Sequence, residues 1–351
     1  MRILWVGKQP NKGDAGDEIY DRKMIAAAEI AGAQISRVYP QRTSRLAQLA
    51  NAIKGVAHYR TFYDSNANRK ALQKSAAGFR IAVCSGESFD RLATGLPCAV
   101  IPILHNVTSQ SLRSMLPHSP VARLLSLQAF AWERSAYAVG RFPLIAVVSR
   151  DDQAYLSQIR PRNTVLYTPP GMPVLVQLRP EARFKREILL SGTFDWYPKR
   201  RDVTLFSHDY GAWRHAFPVF GDPLPSKLQE VITARPMISK FDDAVRLGLI
   251  PDRFVAGHKL KATFYIAHNA IVLSYANISS EFQEIEDHQF FVRTISNAAD
   301  IETHAEQISA LSPEALRYRM EAFKSRCAQR FSWDSSARTL LASCESIGAQ
   351  G

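Results

Sequence analysis

Short apolar runs alternate with longer amphipathic stretches through the first half of the chain. Ile3–Gly7, Ile81–Cys84, Ala99–Leu104 and Leu144–Val148 are continuously apolar and bounded by glycine, proline, serine or charge. A strand wetted on one face alternates polar and apolar residues, whereas an unbroken run fits a strand covered on both faces, as in a parallel sheet. Between these runs, Asp17–Ala31, Thr43–Ala57 and Val121–Gly140 carry helical spacing. The alternation predicts βαβ units and a doubly wound α/β sheet.

The pattern pauses near Ser149, which is placed to cap a short helix over Arg150–Ser157, with Asp151 and Asp152 suited to its first turn. One more strand, Thr164–Thr168, leads to Pro169-Pro170-Gly171-Met172-Pro173 and the polar stretch Arg179–Arg186, the best linker candidate in the chain. The same grammar then restarts. Ile188–Ser191, Phe217–Phe220 and Ala270–Ser274 read as strands, and Lys261–Ala267 as the helix leading into the last. Pro313–Ser346 is helical in pattern, broken around Phe331-Ser332-Trp333. The expected organisation is a domain over residues 1–170, a linker over 171–186, a second domain over 187–330 and a helical segment over 331–351.

A length of 351 residues suits two such domains. The balance of 46% apolar and 22% charged residues is that of a folded protein. Cys84, Cys98, Cys327 and Cys344 are widely spaced, form no CxxC pair and signal neither a zinc site nor a redox motif. They read as small buried hydrophobes in a reducing cytoplasm. No apolar run reaches the roughly 18–20 residues that span a bilayer, and the opening segment reads as a strand rather than a secretion signal.

Charge changes the picture more. The formal net charge is +12, and between Gln41 and Arg80 eight cations face the single acid Asp64. Such a concentration suggests an anionic partner: lipid headgroups, phosphorylated substrates or nucleic acid. Within it, Thr43–Ala57 places Leu46, Leu49, Ile53 and Val56 on one side of a helix, with Arg42, Arg45 and Lys54 beside them. Two readings fit: a core-packing helix with a basic outer face, and an interfacial helix on an anionic membrane.

Ligands of doubly wound sheets bind beyond the carboxyl ends of the strands, where loops enter helices. Four such places carry candidate chemistry. The loop Gly7–Asp17 contains Gly13 and Gly16, which permit close backbone approach before a helix N-terminus; it is neither GxGxxG nor a Walker signature. It is either a binding loop or a plain solvent loop. His105-Asn106 follows a strand directly, where the imidazole would move a proton or hold a hydroxyl, or simply bond backbone. The loop Gly192–Arg201 opens the second module with Thr193, Lys199, Arg200 and Arg201, cations suited to a diphosphate or to open solvent. Lys259 and Lys261 stand at a helix start, as a phosphate cradle or as ordinary helix-end lysines.

Taken in order, several motifs resemble the GT-B glycosyltransferases, in particular the bacterial family-4-like group of exopolysaccharide and lipopolysaccharide synthesis. Ile103-Leu104-His105-Asn106-Val107, then Trp132-Glu133-Arg134-Ser135-Ala136, then Ala146-Val147-Val148-Ser149-Arg150-Asp151-Asp152, resemble that family's "HN…E…VS..D" succession. Tyr167-Thr168-Pro169-Pro170-Gly171-Met172 is similar to its "PNGV" hinge, Leu190–Pro198 to the "GS…W.PN" opening of the donor domain, and Phe331-Ser332-Trp333 to the "FSW" that starts a terminal helix returning to the first domain. The resemblance implies two Rossmann-like doubly wound domains facing a central cleft, the first binding acceptor and the second a nucleotide sugar. It implies a metal-independent hexosyltransferase with a UDP- or GDP-linked co-substrate, no separate cofactor and a glycan or lipid-linked acceptor. His105 would face the reacting sugar, with Asn106, Gly13 and Gly16 on the acceptor side. Lys199, Arg200, Lys259 and Lys261 would meet the diphosphate, with Gly192 and Thr193 also on the donor side. A retaining enzyme would need only leaving-group stabilisation, whereas an inverting one needs a base, for which His105, Asp14 and Asp17 are candidates.

One departure stands out. The stretch His258–Val272 is similar to the family's "G.RLKLLEAMA.G.PVV", but Phe264 occupies the place of the glutamate that holds the nucleotide ribose. Glu281 and Glu284 are the substitutes to consider. The departure keeps open a catalytically silent homologue, beside a nucleotide-sugar epimerase of the same fold. A nucleic-acid-binding protein is a further rival prompted by the charge, against which stands the lack of a zinc finger, an RNP-like aromatic motif or a helix-turn-helix. The expected location is cytoplasmic, with peripheral attachment to the inner face of the plasma membrane through Arg42, Arg45 and Lys54.

Overall fold

The computed structural model describes residues 1–10, 16–115, 119–138, 141–159, 164–192, 194, 196–211, 217–222, 224 and 234–349. Gly13, Asp14 and Thr193 lie outside the described residues. The chain divides into two compact units. Unit 1 comprises Met1–Gly171, Ala256–His258 and Phe331–Gly351, and unit 2 comprises Met172–Val255 and Lys259–Arg330.

Unit 1 is built on six strands: β1 (Arg2–Val6), β2 (Gln34–Val38), β3 (Ile81–Ser85), β4 (Ala99–Leu104), β5 (Leu144–Val147) and β6 (Thr164–Tyr167). They run parallel in the order β2-β1-β3-β4-β5-β6. Alternate residues serve opposite faces: Ile3, Trp5, Ile81, Val83, Ile101 and Ile103 join one core, and Leu4, Val6, Ala82, Cys84, Val100 and Leu104 the other. Both faces are covered, which is why these strands read as unbroken apolar runs. Helix α1 (Gly16–Ile30) turns Tyr20, Met24, Ala27 and Ala28 inward at helical spacing.

The helix α2 (Arg45–Ile53) is capped by the Ser44 hydroxyl, which accepts from the Ala47 amide, and buries none of its residues. The core-packing reading of Leu46, Leu49 and Ile53 is therefore wrong. Only Val56 is buried, and it lies past the helix end. A helix α3 (Asn66–Ala76) and a four-residue turn α4 (Asp90–Ala93) precede β3 and β4. Beyond β4 come α5 (Thr108–Met115) and α6 (Pro120–Glu133), the latter passing into a π-helical turn over Arg134–Ala138. Helix α7 (Arg150–Ile159) starts with Ser149 Oγ accepting from the Asp152 amide at 3.1 Å. Glu133 is buried and receives the Ser109 amide at 3.1 Å, so it ties α6 to α5.

Unit 2 repeats the plan with β7 (Arg183–Leu190), β8 (Val219–Gly221), β9 (Ala234–Pro236), β10 (Ala244–Ile250), β11 (Ala270–Ser274) and β12 (Val292–Thr294). All six are parallel, in the order β12-β11-β10-β7-β8-β9. Strand β7 begins inside the polar stretch read as linker. Its charged half finds partners beside the sheet, with Lys185 bonding Asp243 at 2.8 Å and Glu187 receiving Arg246 at 2.6 Å. Residues Lys199, Arg200 and Arg201, expected on a loop, sit near the start of α8 (Tyr197–Tyr210), whose first turn tolerates Pro198. After α9 (Leu260–Ala267) come α10 (His288–Phe291), α11 (Ala299–Ser309) and α12 (Pro313–Arg330). The final helix, α13 (Trp333–Gly348), belongs to unit 1 and packs Ala337, Leu340, Leu341 and Cys344 into the core that α1 lines. Ser332 caps it, accepting from the Ser335 amide.

Candidate functional site

In an open parallel sheet the strand order reverses at one point, and the crevice outside the carboxyl ends there receives ligands. Unit 1 reverses between β1 and β3, and unit 2 between β7 and β10. Both points are populated by polar side chains.

At the unit 1 point, Ser85 closes β3 and its hydroxyl donates to Asp21 of α1. The same hydroxyl lies 2.9 Å from Nε2 of His105, the first residue after β4. With its hydrogen given to Asp21, Ser85 accepts from Nε2–H, so the lone pair of the neutral imidazole falls on Nδ1. Burial pushes the His105 imidazole down to about 4, against the pull of Asp17. Burial also pushes the Asp21 carboxyl up to about 7, only partly offset by Ser85. The backbone of Gly7 makes room for that carboxylate, since a Cβ there would stand 2.6 Å from Asp21 Oδ2. Tyr20 packs edge-on to His105 with ring centroids 5.0 Å apart, and its hydroxyl donates to Thr168 at 3.1 Å. Asp17, at the start of α1, pairs with Lys8. Burial alone would raise the Asp17 carboxyl, but Lys8 and His105 hold it below the ordinary range. Gly16 opens α1. Asn106 lies against Gly257, whose φ of +59° and closeness to the His105 carbonyl oxygen leave no space for a side chain.

At the unit 2 point, the buried Asp252 follows β10 and gathers Lys199, Lys259 and Lys261 around it. Its Oδ2 receives Lys259 Nζ at 3.1 Å. Burial pushes the Asp252 carboxyl up, but Lys259, Lys261 and Lys199 outweigh it and hold it low. Lys261 is the exceptional group. Its ammonium is buried without a hydrogen-bond partner among the described residues and stands over the Phe194 ring, 5.1 Å from the centroid. Burial pushes it down to about 8, against Asp252. Lys199 is lowered by burial as well. Gly192, at φ +131°, bonds through its amide to Asp222 at 2.7 Å. Neither Trp196 nor Lys259, the residues before α8 and α9, supplies a side-chain cap. Arg200 is exposed on the first turn of α8.

The remaining expected residues are placed differently from one another. Glu281 is buried in a 3-10 turn (Ser279–Glu281) beyond the carboxyl end of β11, whereas Glu284 is exposed and pairs with Arg330 at 3.0 Å. Phe264 lies near the far end of α9, tilted onto His268 with centroids 4.2 Å apart and edge-on to Phe241, in a packing position. Reading the sequence missed Asp21, Ser85, Asp222 and Asp252. Asp252 carried a signal, since it follows an apolar run, Leu247-Gly248-Leu249-Ile250, as His105 follows its own.

No protein-family model matches the chain, and no curated protein matches it in sequence. Solved structures do. Sucrose-phosphate synthase from Thermosynechococcus elongatus is 15% identical, with a TM-score of 0.70 and 100% of each chain covered. TarM from S. aureus, solved with fondaparinux, alpha-GlcNAc-glycerol and UDP, is 7% identical with a TM-score of 0.64, over 97% of this chain and 99% of that one. The E. coli trehalose-6-phosphate structure bound with UDP-2-fluoro glucose is 10% identical with a TM-score of 0.58, over 99% of each. Identities this low speak for architecture, and together with the two six-stranded parallel sheets they establish that the chain has the GT-B glycosyltransferase fold.

Proposed function

We propose that the chain is a nucleotide-sugar-dependent glycosyltransferase whose unit 2 takes the donor diphosphate and whose unit 1 orients the acceptor hydroxyl. The observation that carries the reading is the meeting of Lys199, Lys259 and Lys261 at the β7–β10 reversal, one of them buried with no hydrogen bond among the described residues. A buried, unpartnered ammonium is costly in the free protein, and an anion at that spot would repay it. The uncapped starts of α8 and α9 add backbone amides and helix dipoles of the same sign.

The chemistry follows. The bond from the anomeric carbon to the diphosphate oxygen breaks, its electron pair leaves with the diphosphate, and the lysines meet the growing charge. The acceptor oxygen bonds the anomeric carbon and loses its proton. His105 offers Nδ1 to that hydroxyl; its low basicity suits holding and relaying the proton rather than keeping it. Asp21, reached through Ser85, is basic enough near neutrality to receive it. Asp17, committed to Lys8, is the weaker base. Glu281, buried at the carboxyl edge of the sheet, is the better candidate than Glu284 for the ribose hydroxyls. A UDP- or GDP-linked hexose as donor, a glycan or lipid-linked acceptor in surface polysaccharide synthesis, and independence of metal rest on the sequence resemblance. The four free cysteines fit a cytoplasmic setting.

The test is nucleotide release from UDP- and GDP-sugars, with and without glycan acceptors and with and without EDTA. Acceptor-stimulated release that survives EDTA supports the proposal. Binding of a nucleotide sugar without release would favour a silent homologue, and sugar isomerisation without transfer an epimerase.

A further inference from the structure

Helix α2 carries an apolar stripe that the protein leaves in solvent. Leu46, Leu49 and Ile53 are 80%, 60% and 79% exposed, and they fall on one side of the helix at i, i+3 and i+7. The polar side does the anchoring: Asn51 donates to the carbonyls of Thr61 and Asp64, and Gln48 to that of Thr43. The helix is thus held with its apolar side outward, the reverse of a core helix. A second exposed stripe, Val121, Leu124 and Leu127, occurs on α6. Arg42, Arg45 and Lys54 border the α2 stripe, and Asp64, the single acid between Gln41 and Arg80, is held by Arg69 and Arg91. The cations next to the stripe are therefore left without a carboxylate in their own segment.

We infer that α2 docks unit 1 on an anionic lipid surface, its leucines and isoleucine entering the acyl boundary while Arg42, Arg45 and Lys54 meet headgroup phosphates. Charge selects this occupant over a second copy of the chain, which brings the same positive field to the same face. No described helix is long and apolar enough to cross a membrane, so the attachment is peripheral. The inference stands apart from the transfer reaction and does not need it.

Sedimentation of the full chain with vesicles tests it. Phosphatidylglycerol-containing vesicles should carry the protein down and pure phosphatidylcholine vesicles should not, with binding lost at high salt. The triple variants L46S/L49S/I53S and R42E/R45E/K54E should each bind at least about tenfold more weakly, with unchanged thermal midpoints because all six side chains are at or near the surface. Equal binding to both vesicle types would overturn the inference. So would absent vesicle binding combined with a dimer that the serine variant dissolves, since a second copy would then cover the stripe.

Discussion

Lys261 rests directly against the backbone of Gly192: a Cβ at position 192 would stand 2.6 Å from Lys261 Cε and 2.7 Å from its Nζ. Position 192 also has a φ of +131°, which side-chain-bearing residues rarely adopt. Gly192→Ala should therefore cost about 1–3 kcal/mol of stability from backbone strain and displace the amine as well. Chemical denaturation would show the first effect, and weakened nucleotide binding by the refolded variant the second.

The buried ammonium itself makes a sharper prediction. Replacing it by an apolar chain of similar length, Lys261→Met, removes a charged group that has no hydrogen bond among the described residues, and should stabilise the free protein by about 1–3 kcal/mol while abolishing tight diphosphate binding. Opposite signs for stability and affinity are the mark of a site strained for a ligand. A variant that lost stability and kept nucleotide affinity would show that Lys261 is a packing residue.

Affinity should also follow pH through this amine. Lys261 loses its proton near 8 in the free protein, below the ordinary lysine range, because burial disfavours the ammonium. An anion binds the protonated form, so the dissociation constant should change little between about pH 7 and 7.5, where the terminal phosphate of UDP is already ionised, and rise above pH 8, by up to tenfold per unit. In Lys261→Met the rise should vanish. Titrations of UDP at several pH values would separate the two behaviours.

The second polar centre predicts a compensation in stability. Asp21 has a folded pKa raised from 3.8 to about 7, so its contribution is full below about pH 4 and is lost as pH rises to 7. His105 is lowered from 6.5 to about 4, so the unfolded chain binds the extra proton between those values and stability climbs with pH across that window. The two slopes oppose each other between about pH 4 and 6.5. Asp21→Asn should unmask stability that rises with pH there, and His105→Gln stability that falls. Urea midpoints at about pH 4.5 and pH 6.5 for both variants would decide it.

Much of the architecture was legible because both faces of each sheet are covered. Ala99–Leu104 and Ala270–Ser274 are strands over those same residues, since a two-sided core demands unbroken apolar runs. Some strands escaped notice: Ala244–Ile250 is buried throughout, but Arg246 and Gly248 interrupt its apolar run. Gln34–Val38 is an edge strand, exposed along most of its length, and Arg183–Glu187 is polar because its charges pair beside the sheet. Positive residues near a helix start, such as Lys259 and Lys261, could be nominated from sequence. Their common counter-charge could not, because Asp252 meets these lysines and Lys199 only when β10, α8 and α9 are brought to one sheet edge. Asp21 was hidden differently. On α1 it reads as one more acid of an amphipathic helix, and only its contact with Ser85 marks it out. The α2 stripe was ambiguous for a physical reason: amphipathicity gives a helix an apolar side without saying whether protein or solvent meets it.

The most direct measurement is calorimetric titration of UDP and GDP, and of uridine and guanosine, into the purified chain and into Lys261→Met. If the lysines around Asp252 receive a diphosphate, one nucleoside diphosphate should bind at least about a hundredfold more tightly than its nucleoside, a difference of about 2.7 kcal/mol. Lys261→Met should erase most of that gap. Equal affinities for diphosphate and nucleoside, or a gap that survives the substitution, would contradict the account of unit 2 as the donor site.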